Sequence, residues 1–294
     1  MPGTTKATLE CVPPLDHQVE LRNILNNAML QRICEGVDGL PPAPRIYTEL
    51  IQAASEPRTA ARDLGRIVET DPAISAAVLQ LANSAFFGRM RRMVAISDAV
   101  GYLGIELLKA VVLSAHLARV TLVDLPRGMS VDSFQARSLR LARIAHRFTS
   151  DRMISNLVFT ASLILDIGQL VLAIQRPRVY EAVLEQSRLL QRPLHEVEVD
   201  HLGASHAEAG AFLLAAWGLP EPIIECVAFH HRPSVRDGSV GARAVLHAAD
   251  AMLAVQSGEQ AEEHLDLALI EKAEFLESIP QWRRIVTAEI EGAS

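Results

Sequence analysis

Ring-locked residues at Pro41, Pro42, Pro44, Pro57, Pro72, Pro126, Pro177, Pro193, Pro220 and Pro233 cut this chain into short pieces. Proline has no N–H to donate and fits neither a helix interior nor a central strand. Within the pieces, apolar residues return every three or four positions, the period of a helix with one buried face. Leu21, Ile24, Leu25, Met29 and Ile33 do so before Gly36, predicting one helix. Residues 45–54 and 59–69 do so on either side of Pro57. Asp71-Pro72 reads as a helix start, a carboxylate able to accept a backbone N–H followed by proline in the first turn. Ile74, Val78, Leu81 and Ala82 then line one face up to Asn83-Ser84. Further helical patterns cover 97–103, 106–120, 131–148, 155–175, 178–190, 205–217, 220–230 and 241–255. No segment sustains the apolar–polar alternation of a strand, so the expected fold class is all-α.

Composition agrees. Aromatic residues are 4% against 49% apolar overall, and Ala and Leu outweigh Val, Ile and Tyr, which suits packed helices. With 294 residues the chain can build one large or two abutting domains. The expected division is a mobile tail over 1–17, a helical lobe over 18–128 closed by Pro126-Arg127-Gly128, and a second helical lobe with C-terminal helices over 129–294. The longest uncharged apolar stretch, from Met153 to Leu165, is short of the roughly 20 residues of a membrane span, so no membrane insertion is expected. The first residues show no signal peptide, and Cys11, Cys34 and Cys226 are few and widely spaced, so the expected compartment is the reducing cytoplasm. A net charge of −7 disfavours a protein whose main work is wrapping nucleic acid.

Familiar catalytic motifs fail. His195-Glu196 is followed by His201, and six helical positions point the two imidazoles to different sides, which excludes a zincin site. Ser205 in Gly203-Ala204-Ser205-His206-Ala207 lacks the second glycine and the preceding strand of a nucleophile elbow. There is no phosphate-binding glycine loop and no paired cysteines for structural zinc. No cofactor is expected.

What remains is Leu165-Asp166-Ile167-Gly168, His206, His230-His231 and Asp250, placed on successive helices where inward polar groups can converge. Here the chain resembles the HDOD family, a branch of the HD phosphohydrolase superfamily, from about Leu40 to Asp250. In the first half the resemblance rests on Leu40-Pro41 with Pro44, Glu69-Thr70-Asp71-Pro72-Ala73, Leu81-Ala82-Asn83-Ser84-Ala85-Phe86-Phe87-Gly88 and Ala99-Val100-Gly101-Tyr102-Leu103-Gly104. In the second half it rests on Ile164-Leu165-Asp166-Ile167-Gly168-Gln169-Leu170, His206 with Gly210, Trp217-Gly218-Leu219-Pro220, His230-His231-Arg232-Pro233 and Ala248-Ala249-Asp250. The resemblance implies that a competent HD enzyme would hold one or two metals with a His-Asp pair and flanking His and Asp. This chain departs at two points: Arg137 stands where the first ligand histidine belongs, and the pair reads Leu165-Asp166. An alkyl group has no lone pair and a guanidinium stays protonated, so metal affinity is expected to be lost. Arg137 is expected to pair with Asp166 or Asp250 in the metal's place. Arg137, Leu165, Asp166, His206, His230, His231 and Asp250 then form a vestigial pocket, with no catalytic or metal-binding role.

Outside that pocket, Asn83, Arg89, Arg91 and Arg92 are candidate contacts to a partner or an anion, though Asn83-Ser84 also suits a helix end. Arg140, Arg143 and Arg147 share a helix face, read as solvated surface with an acidic partner as the alternative, and His146 is read as surface or rim. Trp217 and Phe212 are read as core anchors. The resemblance implies a non-enzymatic signal-transduction adaptor or output module. Its partners would be signalling proteins: a sensor kinase, a response regulator, a cyclic-dinucleotide enzyme or a transcription regulator. The stretch before Gln18 is too short for a receiver, cyclase or kinase domain, so input is expected from another chain. The rivals are a metal-dependent phosphodiesterase of (cyclic di)nucleotides and a nucleic-acid-binding regulator using the arginine patches.

Overall fold

The computed structural model describes residues 17–35, 43–84, 92–120, 125–233, 240–254 and 265–291. Among these residues the chain is all-α and has no strand. The first half contains α1 (His17–Leu25), α2 (Ala28–Glu35), α3 (Arg45–Ser55), α4 (Ala61–Glu69), α5 (Pro72–Ala82), α6 (Ile96–Leu103) and α7 (Ile105–Val120). The second contains α8 (Val131–Arg147), α9 (Arg152–Ser162), α10 (Ile167–Gln175), α11 (Pro177–Leu190), α12 (Leu194–Leu202), α13 (His206–Ala216), α14 (Glu221–Phe229), α15 (Val240–Ala254), α16 (Leu267–Lys272) and α17 (Ile279–Glu291).

Helix ends follow the local chemistry. Asp71 accepts from the N–H groups of Ala73 and Ile74 at 2.9 and 3.2 Å, starting α5 as expected. Ser205 forms a reciprocal capping box with Glu208 ahead of α13, which explains the serine that resembled a nucleophile. The single helix expected from Leu21 to Ile33 is two, because the Asn27 carboxamide accepts from the N–H groups of Met29 and Leu30 and restarts the helix. The pattern expected to run from 155 to 175 also breaks, at 163–166, between α9 and α10.

That segment corrects the reading of Met153–Leu165. One aspartate does not end its apolar character, and Arg152–Gln175 is by length and composition apolar enough to cross a membrane. Here 83% of its apolar window is buried in the protein core and the chain turns within it.

Helices α3 to α7 pack on one another, as do α8 to α17, and α7 joins the halves by packing on α8 and α9. Helices α1 and α2 depart from the expected 18–128 grouping, since they pack on α10 and α13 of the second half. One apolar core runs through both halves.

Among the described glycines, the closest backbone approach is at Gly168, where α10 meets α13. A Cβ on Gly168 would lie 1.9 Å from the His206 carbonyl oxygen and 2.7 Å from the Gly210 nitrogen. This backbone contact, possible only for glycine, sets the start of α13 against the start of α10. Gly168→Ala is therefore expected to destabilise the chain by at least about 3 kcal/mol in urea unfolding. Gly101→Ala on α6, where the new Cβ would meet only the Ala61 methyl at 3.4 Å, should instead gain up to about 1 kcal/mol of helix propensity.

Candidate functional site

Four helix segments aim polar groups at one pocket of about 810 Å³. Arg137 comes from α8, Asp166 from the first residue ahead of α10, His206 from the start of α13, and Asp250 from α15. His230 and His231 follow α14 directly. Asp166 stands at a capping position without capping its helix, because its carboxylate is turned toward Arg137.

Arg137 donates from Nη1 to Asp166 Oδ2, and from Nη2 to Asp250 Oδ1 at 2.6 Å. Both carboxylates are buried, at 4% and 7% exposure. The pairing expected of Arg137 is present, with both acids instead of one. Burial by itself would push the Asp166 carboxyl up, but the adjacent guanidinium overrides it and holds Asp166 well below the usual carboxylate range. The same pairing keeps Arg137 protonated.

Below them lies a second charged pair. Glu198 of α12, fully buried, accepts from the Tyr180 hydroxyl at 2.6 Å through Oε1. Through Oε2 it accepts from the backbone N–H of His206 at 2.7 Å and from His206 Nδ1 at 2.6 Å. Burial opposes charging His206, yet Glu198 and Asp166 together raise its pKa to about 10, so the ring is an imidazolium at neutral pH. Its Nε2–H donates to His231 Nε2 at 2.9 Å and faces Asp166 Oδ1 at 3.4 Å. His231 is the neutral acceptor, since burial and the nearby His230, His206 and His195 rings lower its pKa well below the ordinary value. His195 stacks on His231 with ring centroids 4.1 Å apart, and burial lowers its pKa to about 4. His230 donates from Nδ1 to the Val227 carbonyl at 2.7 Å, and its buried Nε2 has no hydrogen-bond partner among the described residues.

The structure thus brings together Arg137, Asp166, His206, His230, His231 and Asp250, with Leu165 buried in the adjoining core. The sequence reading missed Glu198, Tyr180 and the stacking role of His195. Glu198 lies four residues from both Leu194 and Leu202, so it shares their inward face, and that spacing was the available signal. His195 and His201 do part company, His201 contacting Gln186.

The other candidates resolve differently. The Asn83 side chain is a loop clamp: it donates to the Leu79 and Met93 carbonyls at 2.9 and 2.8 Å and accepts from the Met93 N–H. This is the helix-end role that Asn83-Ser84 suited, and it consumes the amide within the chain, which leaves it no part as a partner contact. Arg92 is exposed at the edge of a cleft between α5, α7 and α8, while Arg89 and Arg91 lie outside the described residues. Arg143 and Arg147 lie on partly exposed surface, as expected, and both also face Glu289 of α17, at 3.2 and 3.7 Å. Half-buried His146 has Ser155 Oγ 2.6 Å from its Nδ1. Trp217 is buried, with its carbonyl accepting from the Tyr47 hydroxyl.

A family model described as the HDOD domain matches residues 40–233. A relative from Treponema pallidum (strain Nichols), an uncharacterized protein, is 27% identical over 199 residues, covering 68% of this chain. The chain spans 39% of that relative's length. Among solved structures, an HDOD domain protein of unknown function from Geobacter sulfurreducens superposes with a TM-score of 0.67 at 23% identity, covering 93% of this chain and 99% of the other. A candidate signal transduction protein from Marinobacter aquaeolei VT8 gives a TM-score of 0.69 at 22% identity, covering 94% of this chain and 64% of the other. At these identities the two structures establish the fold.

Two measurements check the electrostatics. Arg137→Met strands two buried carboxylates and should cost about 3 kcal/mol at pH 7. The loss should shrink as pH falls toward 4, because the stranded acids can then take up protons. His206 has a folded pKa above its unfolded value, so its contribution is fully present below about pH 6.5 and disappears as pH rises through about 10. His206→Gln should therefore flatten the alkaline limb of stability against pH between 7 and 10.

Proposed function

Because the chain belongs to the HDOD family, we propose that it is a non-enzymatic signal-transduction adaptor or output module, acting through protein contacts on a scaffold inherited from HD phosphohydrolases. The observation that carries this reading is Arg137 between Asp166 and Asp250. A divalent ion at that place needs the carboxylate lone pairs that the guanidinium already holds, and the fixed positive charge would repel it. The neighbouring donors fit a metal no better. Leu165 offers no lone pair, and both ring nitrogens of the His206 imidazolium carry protons. In place of a metal, Arg137 ties α8 to the α10 turn and to α15, which supports a structural duty for the pocket. The proposed partners are signalling proteins, namely a sensor kinase, a response regulator, a cyclic-dinucleotide enzyme or a transcription regulator.

A metal-dependent phosphodiesterase of (cyclic di)nucleotides is the second reading. It is favoured by His206, His230 and His231, which each offer a nitrogen, all within 4.8 Å of one another. It would require His206 to release a proton that Glu198 and Asp166 stabilise.

Metal analysis and turnover separate the two. Protein equilibrated with Mn²⁺, Ni²⁺ or Zn²⁺ and then desalted is expected to retain far less than one ion per chain. It should hydrolyse neither bis(p-nitrophenyl) phosphate nor a cyclic dinucleotide above the buffer rate. Stoichiometric metal together with hydrolysis abolished by Asp166→Asn would overturn the adaptor reading.

A further inference from the structure

Among the described residues, the network at the floor of the histidine pocket is one positive charge short. It holds three buried carboxylates, Asp166, Glu198 and Asp250, and two cations, Arg137 and the His206 imidazolium. Glu198 and His206 neutralise each other, which leaves one guanidinium for two aspartates. Arg137 gives each aspartate a hydrogen bond but cancels only one of their charges. A neutral His206 would only widen the gap. Charges taken out of water need partners of opposite sign, so the network attracts one further positive charge and repels an anion. The rim cations do not supply it: Arg192 is held by Asp200 and Glu196, and Arg188 is exposed, where water and salt screen it.

Acceptors outnumber donors there as well. His230, 3% exposed, donates from Nδ1 to Val227, which makes its Nε2 an acceptor. That nitrogen has no donor among the described residues and faces a second acceptor, Asp166 Oδ1, at 3.8 Å. Asp250 uses Oδ1 to accept from Arg137, and its Oδ2 has no donor among the described residues. Unlike His230 Nε2, this oxygen is open to solvent, and Asp250 lines the pocket. The pocket of about 810 Å³ leads away from it between walls that include Phe134, Leu184 and Leu194, within the size range of small-molecule sites.

We propose that the histidine pocket receives a small organic ammonium, its N–H groups donating to Asp250 Oδ2 and its apolar body lying along the wall of Phe134, Leu184 and Leu194. The head group supplies both the positive charge and the donor that the network lacks. A divalent ion would need several lone pairs at once, including those that Arg137 and the protonated His206 withhold, whereas an ammonium needs one open oxygen. An anion meets the excess negative charge, and a neutral alcohol brings the donor without the charge. The inference rests on the metal-free reading of the pocket and gives it a ligand class.

Titration of the full chain at neutral pH with 2-phenylethylamine, an ammonium under those conditions, tests it, with 2-phenylethanol and phenylacetate as the neutral and anionic probes of similar shape. The amine is expected to bind one to one and about tenfold or more tighter than the alcohol, the ratio expected for a charge-assisted hydrogen bond, with no binding of phenylacetate. Asp250→Asn should bring amine and alcohol to near parity. Ala254→Trp, which fills the pocket from an exposed position on α15, should block both and serves where the first variant fails to fold. Absence of saturable amine binding, equal affinity for amine and alcohol in the unaltered protein, or amine binding undiminished in either folded variant would each overturn the proposal. Elemental analysis of the same protein keeps the two readings apart. Metal-free protein that does not bind the amine overturns this inference alone, whereas stoichiometric metal overturns the metal-free reading and the inference with it.

Discussion

Buried carboxylates set the terms of this fold. Asp166, Glu198 and Asp250 are each less than a tenth exposed, and an ionised acid taken out of water is tolerated only with compensating charge and hydrogen bonds. Arg137 provides that compensation for Asp166 and Asp250, and the His206 imidazolium with the Tyr180 hydroxyl provides it for Glu198. The two arrangements are joined, since His206 also faces Asp166. Five helices, α8, α11, α12, α13 and α15, and the turn before α10 are thereby tied together by charge inside the core.

The close contact at Gly168 makes this network geometrically possible. With the His206 carbonyl set directly against Gly168, the imidazole at the start of α13 falls within reach of the carboxylate just before α10. A side chain at Gly168 would force those two segments apart and pull His206 from between its two acids. Packing and electrostatics are therefore not separable here: the glycine sets the distance that the ion pairs require.

Much of this was legible in the sequence because the signals were local. Asp71-Pro72 marked a helix start that the structure contains, and the three-to-four-residue apolar period between the prolines, with no strand alternation, pointed to the all-α class. The Arg137 substitution in the expected ligand set pointed to its pairing with Asp166 or Asp250, and the structure has both. Some of the misses share a physical cause, that polar residues with partners on other helices leave no local pattern. Helix α12 reads LHEVEVDHL, so dense in charge that its apolar stripe of Leu194, Val197 and Leu202 is hard to see, and Glu198 was lost with it. The pairing of Arg143 and Arg147 was hidden because their acid, Glu289, lies more than 140 residues away, on a helix the sequence pattern did not delimit. The breaks at Asn27 and at 163–166 were hidden by apolar spacing that continues across both.

A cavity of about 700 Å³ opens between the two halves, and helices link it to the histidine pocket. Helix α8 presents Arg137 to the histidine pocket and His146 to the inter-lobe cavity, and α15 presents Asp250 to the first and Gly241 to the second. In both helices the separation is nine residues, about 14 Å of rise and half a turn of phase, which puts the two residues on opposite faces. Helix α9 lines the cavity as far as Thr160 and runs into the turn that delivers Asp166. Each of the three groups in the Arg137–Asp166–Asp250 pairing is thus carried by an element whose other part walls the cavity. A shift of α15 relative to α8 would be opposed by the Arg137–Asp250 hydrogen bond, and a change in that bond would be felt at the cavity wall. Helices respond to such loads mainly by rigid displacement, because their packed faces deform little. In this arrangement the guanidinium is more than a replacement for a lost ion: it fixes the relative position of the helices on which the inter-lobe cavity is built.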